Sequence, residues 1–336
     1  MQKIFCFGEL MIKLSPELGG KWINDEMITA HIGGAELNVA TALANWDIPV
    51  KYSTALPDNY LSQEICDDLK KKNIDVSAIN FSGNRIGVYY LPKGAELKSA
   101  GVIYHRAYSS FGELKPGMID WDKALINCNW FHFTAISPAL NENVVAVCIE
   151  ALEAASAKKI KISVDLNYRA KLWQYGKKPV DVMPQLVRYC HVIMGNLWAV
   201  DSLLGIGPDV KESAGKTKKE LVDATGKSML QLHRQYPNAE SFAYTFRLDK
   251  EYFAVLQHGQ KMAISNTYEI TNVIDKAGSG DCFMGGLIYG LINNHPAEEI
   301  INFAASAAVG KLGEKGDATR QTVGEVRDRM KAKSII

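Results

Sequence analysis

Short apolar runs alternate with helical patterns along most of the chain. The runs that predict buried strands cover residues 3–7, 50–55, 74–81, 130–134, 160–164, 192–194, 243–246 and 252–257. The segments with helical spacing or composition cover residues 35–46, 59–72, 141–157 and 297–312. Strands that alternate with helices are typical of a parallel sheet covered by helices. The pattern therefore predicts an α/β fold.

A different pattern interrupts this alternation. Two β-type runs, residues 86–91 and 101–107, flank a polar loop and predict a hairpin inserted into the α/β domain. The runs carry Tyr89, Tyr104 and Arg106. Aromatic rings suit the apolar face of a sugar ring, and a guanidinium pairs with a carboxylate through two hydrogen bonds. The hairpin therefore suits a sugar acid, although an ordinary solvent-facing strand also explains the tyrosines.

A glycine turn precedes the first predicted helix. Gly33 and Gly34 form the turn, and Asn38 lies in the first turns of the helix that follows. Small turn residues let the backbone approach a ligand closely. Asn38 is then placed to point back toward that ligand, but taken alone it is explained equally well as a solvated polar residue of the helix.

A second glycine turn contains Gly278, Ser279, Gly280 and Asp281 and opens an apolar helix. Free N–H groups at a helix start attract anions, and the helix dipole adds to that attraction. An acid there would repel a phosphate, unless it takes a proton from a hydroxyl that attacks a phosphoryl group. On its own, a Gly-x-Gly-Asp sequence favours the simpler interpretation, in which Asp281 caps the helix.

Polar side chains follow several of the predicted strands. Asp165, Asn167 and Arg169 follow one strand, Asn196 follows the next, and Arg247 ends a later one. Open α/β sheets bind ligands at the carboxyl ends of their strands. A turn stabilised by an Asp or Asn side chain would explain one polar residue at such a place. Three at alternate positions favour a ligand site.

Composition and charge exclude several classes of protein. The 336 residues are 47% hydrophobic, which provides for one large α/β domain or two domains. Lys and Arg total 38 against 37 Asp and Glu, so no basic field indicates nucleic-acid binding. Six scattered cysteines lack metal-type spacing and indicate a reducing compartment. Without a signal-peptide pattern or an apolar run near the ~20 residues of a membrane helix, we expect a cytoplasmic protein.

Together, these features resemble the ribokinase-like (PfkB) carbohydrate kinase family from about residue 3 to about residue 325. The family's N-terminal signature is matched at Gly33, Gly34 and Asn38, and its C-terminal signature, D-x-x-G-A-G-D, at Asp275 and residues 278–281. Within the family the chain is most similar to 2-keto-3-deoxygluconate kinases. The residues that carry this similarity are Gly87-Val88-Tyr89, Tyr104-His105-Arg106, Asp165-Leu166-Asn167-Tyr168-Arg169, Leu172-Trp173 and Gly316-Asp317.

The resemblance implies a single domain over residues 1–336, built as a ribokinase-like three-layer α/β/α sandwich with a mostly parallel sheet. It also implies a small β-sheet lid, formed by about residues 10–32 and 85–107. The expected cofactors are ATP and Mg²⁺, and the expected substrate is a sugar acid. A homodimer joined through the lid is expected, with neither nucleic acid nor membrane as a partner.

The same resemblance implies roles for individual residues. Asp281 would be the catalytic base, and the N–H groups of Gly278, Ser279 and Gly280 would form an anion hole. The residues expected around the sugar acid are Gly33, Gly34, Asn38, Tyr89, Tyr104, Arg106, Asn167 and Arg169. Among them, Arg106 and Arg169 are the candidates for binding the carboxylate and for stabilising the charge that develops on the phosphoryl group. The residues expected to contact the nucleotide are Asn196, Arg247, Gly278 and Gly280.

The chain also departs from the family pattern. Ala199 stands where many relatives carry a glutamate that organises magnesium, so the metal ligands stay unassigned. The strand end at Thr245-Phe246-Arg247 lacks the usual glycine, and Lys276 stands where threonine is usual. Two alternatives stay open: a fructokinase-like neutral-sugar kinase and a catalytically silent sugar-binding protein on the same fold. A dinucleotide-binding dehydrogenase is disfavoured, because no Gly-x-Gly-x-x-Gly follows the first strand.

Overall fold

The computed structural model describes residues 2–16, 22–23, 28–91, 102–207, 213, 215–271 and 273–331. Parts of the predicted lid lie outside these described residues, namely residues 17–21, residues 24–27 and the loop and strand start at residues 92–101. The strands in chain order are β1 (Lys3–Phe7), β2 (Met11–Pro16), β3 (Ile28–Gly33), β4 (Val50–Ser53), β5 (Ala55–Leu56), β6 (Ile74–Asp75), β7 (Asn80–Phe81), β8 (Gly87–Tyr90), β9 (Ile103–His105), β10 (Cys128–Thr134), β11 (Lys161–Asp165), β12 (Val192–Gly195), β13 (Ser241–Arg247), β14 (Glu251–His258), β15 (Lys261–Ile264) and β16 (Tyr268–Glu269).

The helices are α1 (Ala35–Asn45), α2 (Tyr60–Lys71), α3 (Trp121–Ala124), α4 (Glu142–Ala157), α5 (Pro179–Val187), α6 (Leu197–Leu204), α7 (Lys218–Gln235), α8 (Ser279–Ile292), α9 (Ala297–Leu312) and α10 (Val323–Lys331). Several begin at a side-chain cap that the sequence supplies. Asn59 caps α2, Asn141 caps α4, and Thr217 caps α7 in a capping box with Glu220. In the part of the chain that the structure describes, no helix has the length and hydropathy needed to cross a membrane.

Most strands form one large sheet. Its ten strands follow the order β15-β14-β13-β12-β11-β10-β1-β4-β6, and β16 pairs with β14. Neighbouring strands from β13 to β6 are parallel, whereas β14 runs antiparallel to β13, β15 and β16. The mostly parallel sheet confirms the predicted α/β fold.

Helices cover both faces of this sheet, and a separate hydrophobic core fills each space between sheet and helices. One core contains side chains of α1, α2, α8, α9 and α10. The other contains side chains of α3 to α7. Because buried parallel strands need cover on both faces, the near-continuous apolar runs of the sequence explain this three-layer arrangement.

Two predicted strands are interrupted in the structure. The sequence predicted single strands at residues 50–55 and 74–81, but both predictions are wrong in part. The first strand is interrupted at residue 54, and the second is interrupted between Asp75 and Asn80. The second run breaks after Asp75, whose carboxylate accepts a hydrogen bond from the Ser77 N–H at 2.9 Å and starts a turn. The two short pieces beyond the breaks, β5 and β7, pair with each other in a separate sheet.

A four-stranded sheet of order β3-β2-β8-β9 lies apart from the large sheet and uses the predicted hairpin. We call it the lid. Side chains alternate between its two faces. The inner face carries a small apolar cluster of Met11, Tyr89 and Leu91, which also includes Val102 and Tyr104. The lid therefore has its own packed face, opposite a face that stays partly exposed.

Candidate active site

A cavity of about 530 Å³ lies where the lid meets the carboxyl ends of β11, β12 and β13 and the N-termini of α1 and α8. We call it the cleft. The predicted site residues among its lining are Gly34, Asn38, Tyr89, Tyr104, Arg106, Asn167, Arg169, Asn196, Arg247, Gly278, Ser279, Gly280 and Asp281. Residues distant in sequence thus converge on one cavity, as expected at the carboxyl edge of an open α/β sheet.

Asp281 lies in the first turn of α8, but it does not cap that helix. Gly278 occupies the N-cap position. The Asp281 carboxylate is 8% exposed and accepts a hydrogen bond from Asn38 Nδ2 at 2.7 Å. Burial raises its pKa to about 6, against the opposing effects of Asn38 and the positive charge of Arg169. At neutral pH the carboxylate is therefore mostly ionised and able to accept a proton.

The turn before Asp281 is shaped for close approach. Gly278 has φ of +77°, and a Cβ there would lie 1.7 Å from the backbone oxygen of Asp317. A Cβ on Gly280 would meet nothing within 4 Å. The first N–H groups of a helix have no partner within the helix, and the N-cap residue of α8 provides no side-chain hydrogen bond to them. We call residues 278–280 the anion turn, because such N–H groups at the positive end of a helix dipole bind anions.

The N-terminus of α1 forms the opposite wall of the cleft. Gly34 has φ of +149°, and a Cβ there would lie 2.5 Å from the Glu9 backbone oxygen. The turn therefore needs glycine. Asn38, one turn later, directs its amide at Asp281, and within the described residues its Oδ1 is buried without a hydrogen-bond partner. This free acceptor makes Asn38 more than a solvated helical residue.

Glu36 is a buried carboxylate beside this wall that sequence reasoning missed. It is 2% exposed and accepts hydrogen bonds from the Thr134 N–H at 3.0 Å and the Thr134 hydroxyl at 2.8 Å. Burial raises its pKa to about 7, and the nearby charge of Asp281 adds to the rise. The only signal for Glu36 in the sequence was an acidic residue in the first turn of an apolar helix, just after the glycine turn.

The two arginines predicted to bind a carboxylate both line the cleft, but in different surroundings. Arg106 is 8% exposed, and its Nη2 donates to Glu9 Oε2 in a buried ion pair. The Ser109 hydroxyl donates to the other Glu9 oxygen at 2.5 Å. Among the described residues, Arg106 Nε has no hydrogen-bond partner. Glu9, which sequence reasoning missed, therefore balances much of the Arg106 charge.

Arg169 carries its charge close to Asp281. It is half-buried, and its Nη1 donates to the Tyr168 backbone oxygen at 3.2 Å. Its guanidinium lies near enough to Asp281 to lower the pKa of that carboxyl. Asn167 lines the same wall. Of the two arginines, Arg169 is therefore the one that acts electrostatically on Asp281.

Tyr89 and Gly33 meet at the edge of the cleft. The Tyr89 hydroxyl donates to Asp317 Oδ2. Gly33 is not among the lining residues; a Cβ there would lie 2.9 Å from that same Asp317 oxygen. Asp317 also accepts a hydrogen bond from Lys13. Sequence reasoning noted Asp317 only as part of a motif and missed Lys13, because no local pattern records a contact across most of the chain.

The far end of the cleft is lined by Asn196, Arg247 and Lys276. Asn196 Oδ1 accepts from the N–H groups of Trp198 and Ala199 at 3.1 and 2.9 Å, so its side chain caps α6. Arg247 is exposed at the end of β13. Within the described ranges, no group of three or more His, Cys, Asp or Glu residues could hold a metal ion.

Comparison with known proteins identifies the fold to which this architecture belongs. A three-layer sandwich with a separate β-lid over its binding edge is the ribokinase-like fold. The chain belongs to the pfkB family of carbohydrate kinases, whose family model matches residues 1–235 and 243–322. It is thus a sugar kinase, and the family implies a sugar and ATP as its substrates.

Individual relatives are similar over nearly their whole length. The 2-dehydro-3-deoxygalactonokinase of Haloferax volcanii is 26% identical over 331 residues, which is 96% of this chain and 95% of the relative. The crystal structure of the Thermotoga maritima 2-dehydro-3-deoxygluconokinase is 30% identical, with a TM-score of 0.89, and the match covers 99% of this chain and 100% of that one. A Xylella fastidiosa fructokinase with bound ATP is 19% identical, with a TM-score of 0.77 over 98% of both chains, and shows the fold alone.

Proposed function

We propose that this carbohydrate kinase transfers the γ-phosphoryl group of MgATP to 2-keto-3-deoxygluconate or a close sugar acid, such as its galactonate epimer. The observation that carries the proposal is that Arg106 and Arg169 line the same cleft as Asp281. Two guanidinium groups suit a substrate with a carboxylate. The names of the Haloferax and Thermotoga relatives support the same substrate class.

In this proposal Asp281 is the catalytic base. It takes the proton of the sugar hydroxyl, whose oxygen forms a bond to the γ-phosphorus while the bond to the β,γ-bridging oxygen breaks and ADP leaves. The N–H groups of Gly278, Ser279 and Gly280 stabilise the charge on the transferring group. Phosphoryl transfer depends mainly on positioning and charge stabilisation, and the buried position of Asp281 next to the anion turn supports both.

The remaining predicted residues divide between the two substrates. Those we assign to the sugar acid are Gly33, Gly34, Asn38, Tyr89, Tyr104, Arg106, Asn167 and Arg169, with Gly33 acting through its contact with Asp317. Those we assign to the nucleotide are Asn196, Arg247, Gly278 and Gly280. Mg²⁺ arrives with ATP, held by phosphate oxygens and water, which agrees with the lack of a ligand cluster among the described residues.

One observation favours a second candidate, a neutral-sugar kinase. Glu9 already pairs with Arg106, which lowers the positive charge left for a substrate carboxylate. A hydroxyl group of fructose would then suffice as a hydrogen-bond partner for Arg106. The catalytically silent alternative rests only on the departures at Ala199 and Arg247 and has no support from the geometry of Asp281.

A coupled ADP-release assay with 2-keto-3-deoxygluconate, its galactonate epimer and fructose separates these candidates. We expect turnover that requires MgATP and is fastest with a sugar acid. Faster turnover with fructose would favour the neutral-sugar kinase, and no turnover with any of the three would reject an active kinase of this class. Asp281→Asn should abolish turnover but leave nucleotide binding intact; retained turnover would reject Asp281 as the base.

Arginine variants test the substrate carboxylate. Arg169→Ala should raise KM for the sugar acid by roughly 10- to 100-fold, because a charge-assisted hydrogen bond contributes ~1.5–3 kcal/mol. KM for fructose should change much less. Arg188→Ala, an exposed arginine that does not line the cleft, is the matched control. Equal changes in KM for both sugars would contradict recognition of a carboxylate by Arg169.

We also propose that residues 1–336 act as one kinase domain and that two copies join through the outer face of the lid. That face carries apolar side chains on all four strands, together with His105; the apolar residues are Ile12, Leu14, Ile28, Ile32, Val88, Tyr90 and Ile103, of which Ile12 and Ile32 also pack against the core. An exposed sheet face of this kind needs covering. The six cysteines are all free thiols, which supports a reducing, cytoplasmic location.

A further inference from the structure

A buried group of charges lies under the lid, and of its members only Asp317 lines the cleft. Lys13, on the inner face of β2, places its Nζ 2.8 Å from Asp275 Oδ2 and 2.6 Å from Asp317 Oδ1. The Lys13 and Asp317 side chains are only 4% and 3% exposed. A buried ion pair is strongly destabilised when one partner is removed, because the other charge is left uncompensated. The group therefore holds its members at fixed positions.

Asp317 joins the lid to the anion turn. Its carboxylate accepts from Lys13 on β2 and from the Tyr89 hydroxyl on β8, so it contacts two neighbouring lid strands. Its backbone oxygen lies against Gly278, where a Cβ would come within 1.7 Å. A shift of either lid strand is thus transmitted to the first residue of the anion turn through a single residue.

Lys13 also holds the other flank of the turn through Asp275. The second oxygen of Asp275 accepts from the Ala277 N–H at 3.0 Å and shapes the chain just before Gly278. A second lysine, Lys311, is fully buried nearby, and its charge acts on both Asp275 and Asp317. Two lysines thus face two aspartates, and loss of Lys13 would leave the carboxylates on both flanks of the turn undercompensated.

We propose that Lys13 is a positioning residue that, through Asp317 and Asp275, couples the sugar-covering lid to the anion turn, so that the turn presents its N–H groups correctly only while β2 is docked. This inference rests on the proposed function. Phosphoryl transfer is sensitive to such placement, since a misplacement of about 1 Å costs on the order of 100-fold in rate. Lys13 does not line the cleft, so its effect is exerted through Asp317 and Asp275 and not through a contact with the sugar or the nucleotide.

The first test is the variant Lys13→Met, which keeps the aliphatic chain and removes the charge. We expect kcat, measured at saturating sugar, to fall about 10- to 100-fold. Lys13→Arg should recover most of the lost rate, because it restores the charge. The matched control is Lys51→Met, since Lys51 is 6% exposed, donates to the backbone oxygens of Ala124 and Ile126 at 3.0 and 3.2 Å, and does not line the cleft. A kcat for Lys13→Met equal to that of Lys51→Met would overturn the proposal.

A second readout does not depend on turnover. Hydrogen–deuterium exchange in peptides spanning residues 275–285 should be faster in Lys13→Met than in wild type, and unchanged in Lys51→Met. Unchanged exchange in Lys13→Met would overturn the coupling even if the rate falls. If wild-type protein turns over none of the three sugars, the proposed function fails, whereas the exchange comparison still decides whether β2 holds the turn.

Tyr89→Phe covers the case in which Lys13→Met does not fold. It removes only the hydroxyl that donates to Asp317 and leaves all charges in place. We expect faster exchange in the same peptides and a kcat lowered about three- to tenfold, consistent with the ~0.5–1.5 kcal/mol of one hydrogen bond. Wild-type exchange together with wild-type kcat in this variant would overturn the proposal.

Discussion

The carboxylate of Asp281 is buried, and its surroundings act on its ionisation in opposite directions. Burial raises its pKa to about 6, while the amide of Asn38 and the charge of Arg169 stabilise the ionised form. A general base works best with a pKa near the working pH. The residue therefore combines a carboxylate that is ionised at neutral pH with enough basicity to accept a hydroxyl proton.

A pH profile tests this role. The base must be ionised, so kcat/KM should fall about tenfold per pH unit below a pKa of about 6. Asn38→Ala removes the hydrogen bond that stabilises the ionised form, so the acid limb of its profile should move to higher pH. The measurement is initial ADP release across pH 5 to 8 at subsaturating sugar. An acid limb at the same pH in both proteins would contradict the assignment.

Glu36 makes a separate prediction about stability. Its folded-state pKa is raised from the ordinary 4.5 to about 7, mainly by burial. The folded state therefore binds the proton more tightly, and the resulting stability is complete below pH 4.5 and is lost as the pH rises through 7. From pH 5 to 8, wild-type protein should lose about 2 to 3 kcal/mol through this group.

The variant Glu36→Gln cannot titrate, so this part of the pH dependence should vanish. The measurement is the free energy of unfolding in urea at pH 5 and pH 8 for both proteins. Glu64→Gln, an exposed carboxylate on α2, is the control and should keep the wild-type pH dependence. Equal pH dependence in wild type and Glu36→Gln would show that Glu36 titrates normally.

At the scale of the element, the start of α8 contains two glycines in different steric surroundings. Gly278 has a left-handed backbone and no room for a Cβ, whereas a Cβ on Gly280 would meet nothing within 4 Å. Gly278→Ala should therefore destabilise the protein by at least about 1 to 3 kcal/mol. Gly280→Ala should fold normally, because alanine also favours the helix.

Although Gly280→Ala should fold normally, it should lose activity. The methyl group of Gly280→Ala would occupy space that we assign to the transferring phosphoryl group, so kcat should fall at least about tenfold while the melting temperature stays within a few degrees of wild type. Thermal unfolding and ADP release on the same samples make the comparison. Full activity in Gly280→Ala would place the phosphoryl group elsewhere.

The elements themselves were well predicted from sequence where the signal is local. The alternation of strands and helices, the hairpin of the lid and both glycine turns depend on neighbouring residues, and the three-layer fold is confirmed. The breaks near Thr54 and after Asp75 were missed. After Asp75, a side chain that starts a turn competes with strand continuation in a run whose apolar residues favour a strand. At Thr54, the hydroxyl accepts a hydrogen bond from the distant Leu10 N–H, which no local pattern records.

The assembly of the site was predictable only in part. Most predicted residues line one cleft, and their roles stay predictions. The partners that fix them were not predicted: Glu9 with Arg106, Thr134 with Glu36, and Lys13 with Asp317. Each pair joins segments far apart in the chain, and their packing is decided by tertiary contacts that leave no period or motif in a single sequence.

At the scale of the whole molecule, the lid has two unlike faces. Its inner face is tied to the cleft by Lys13 and Tyr89. On its outer face, Leu14 pairs with Tyr90, which pairs with Ile103, so apolar side chains run across the strands. Ile103 is 61% exposed. A continuous apolar row on an exposed sheet is typical of a surface that a partner covers.

We expect the covering partner to be a second copy of the chain, with a solution mass of twice the 37.1 kDa of one chain. Ile103→Glu places a charge on the apolar face, at its β9 edge, and burying it without a partner is costly, so the variant should sediment as a monomer at low micromolar concentration. Ile264→Glu, on the exposed edge strand β15, is the matched control and should stay dimeric. If the wild-type protein sediments as a monomer, the proposed dimer is wrong. If both variants sediment as dimers, the interface does not lie on the lid.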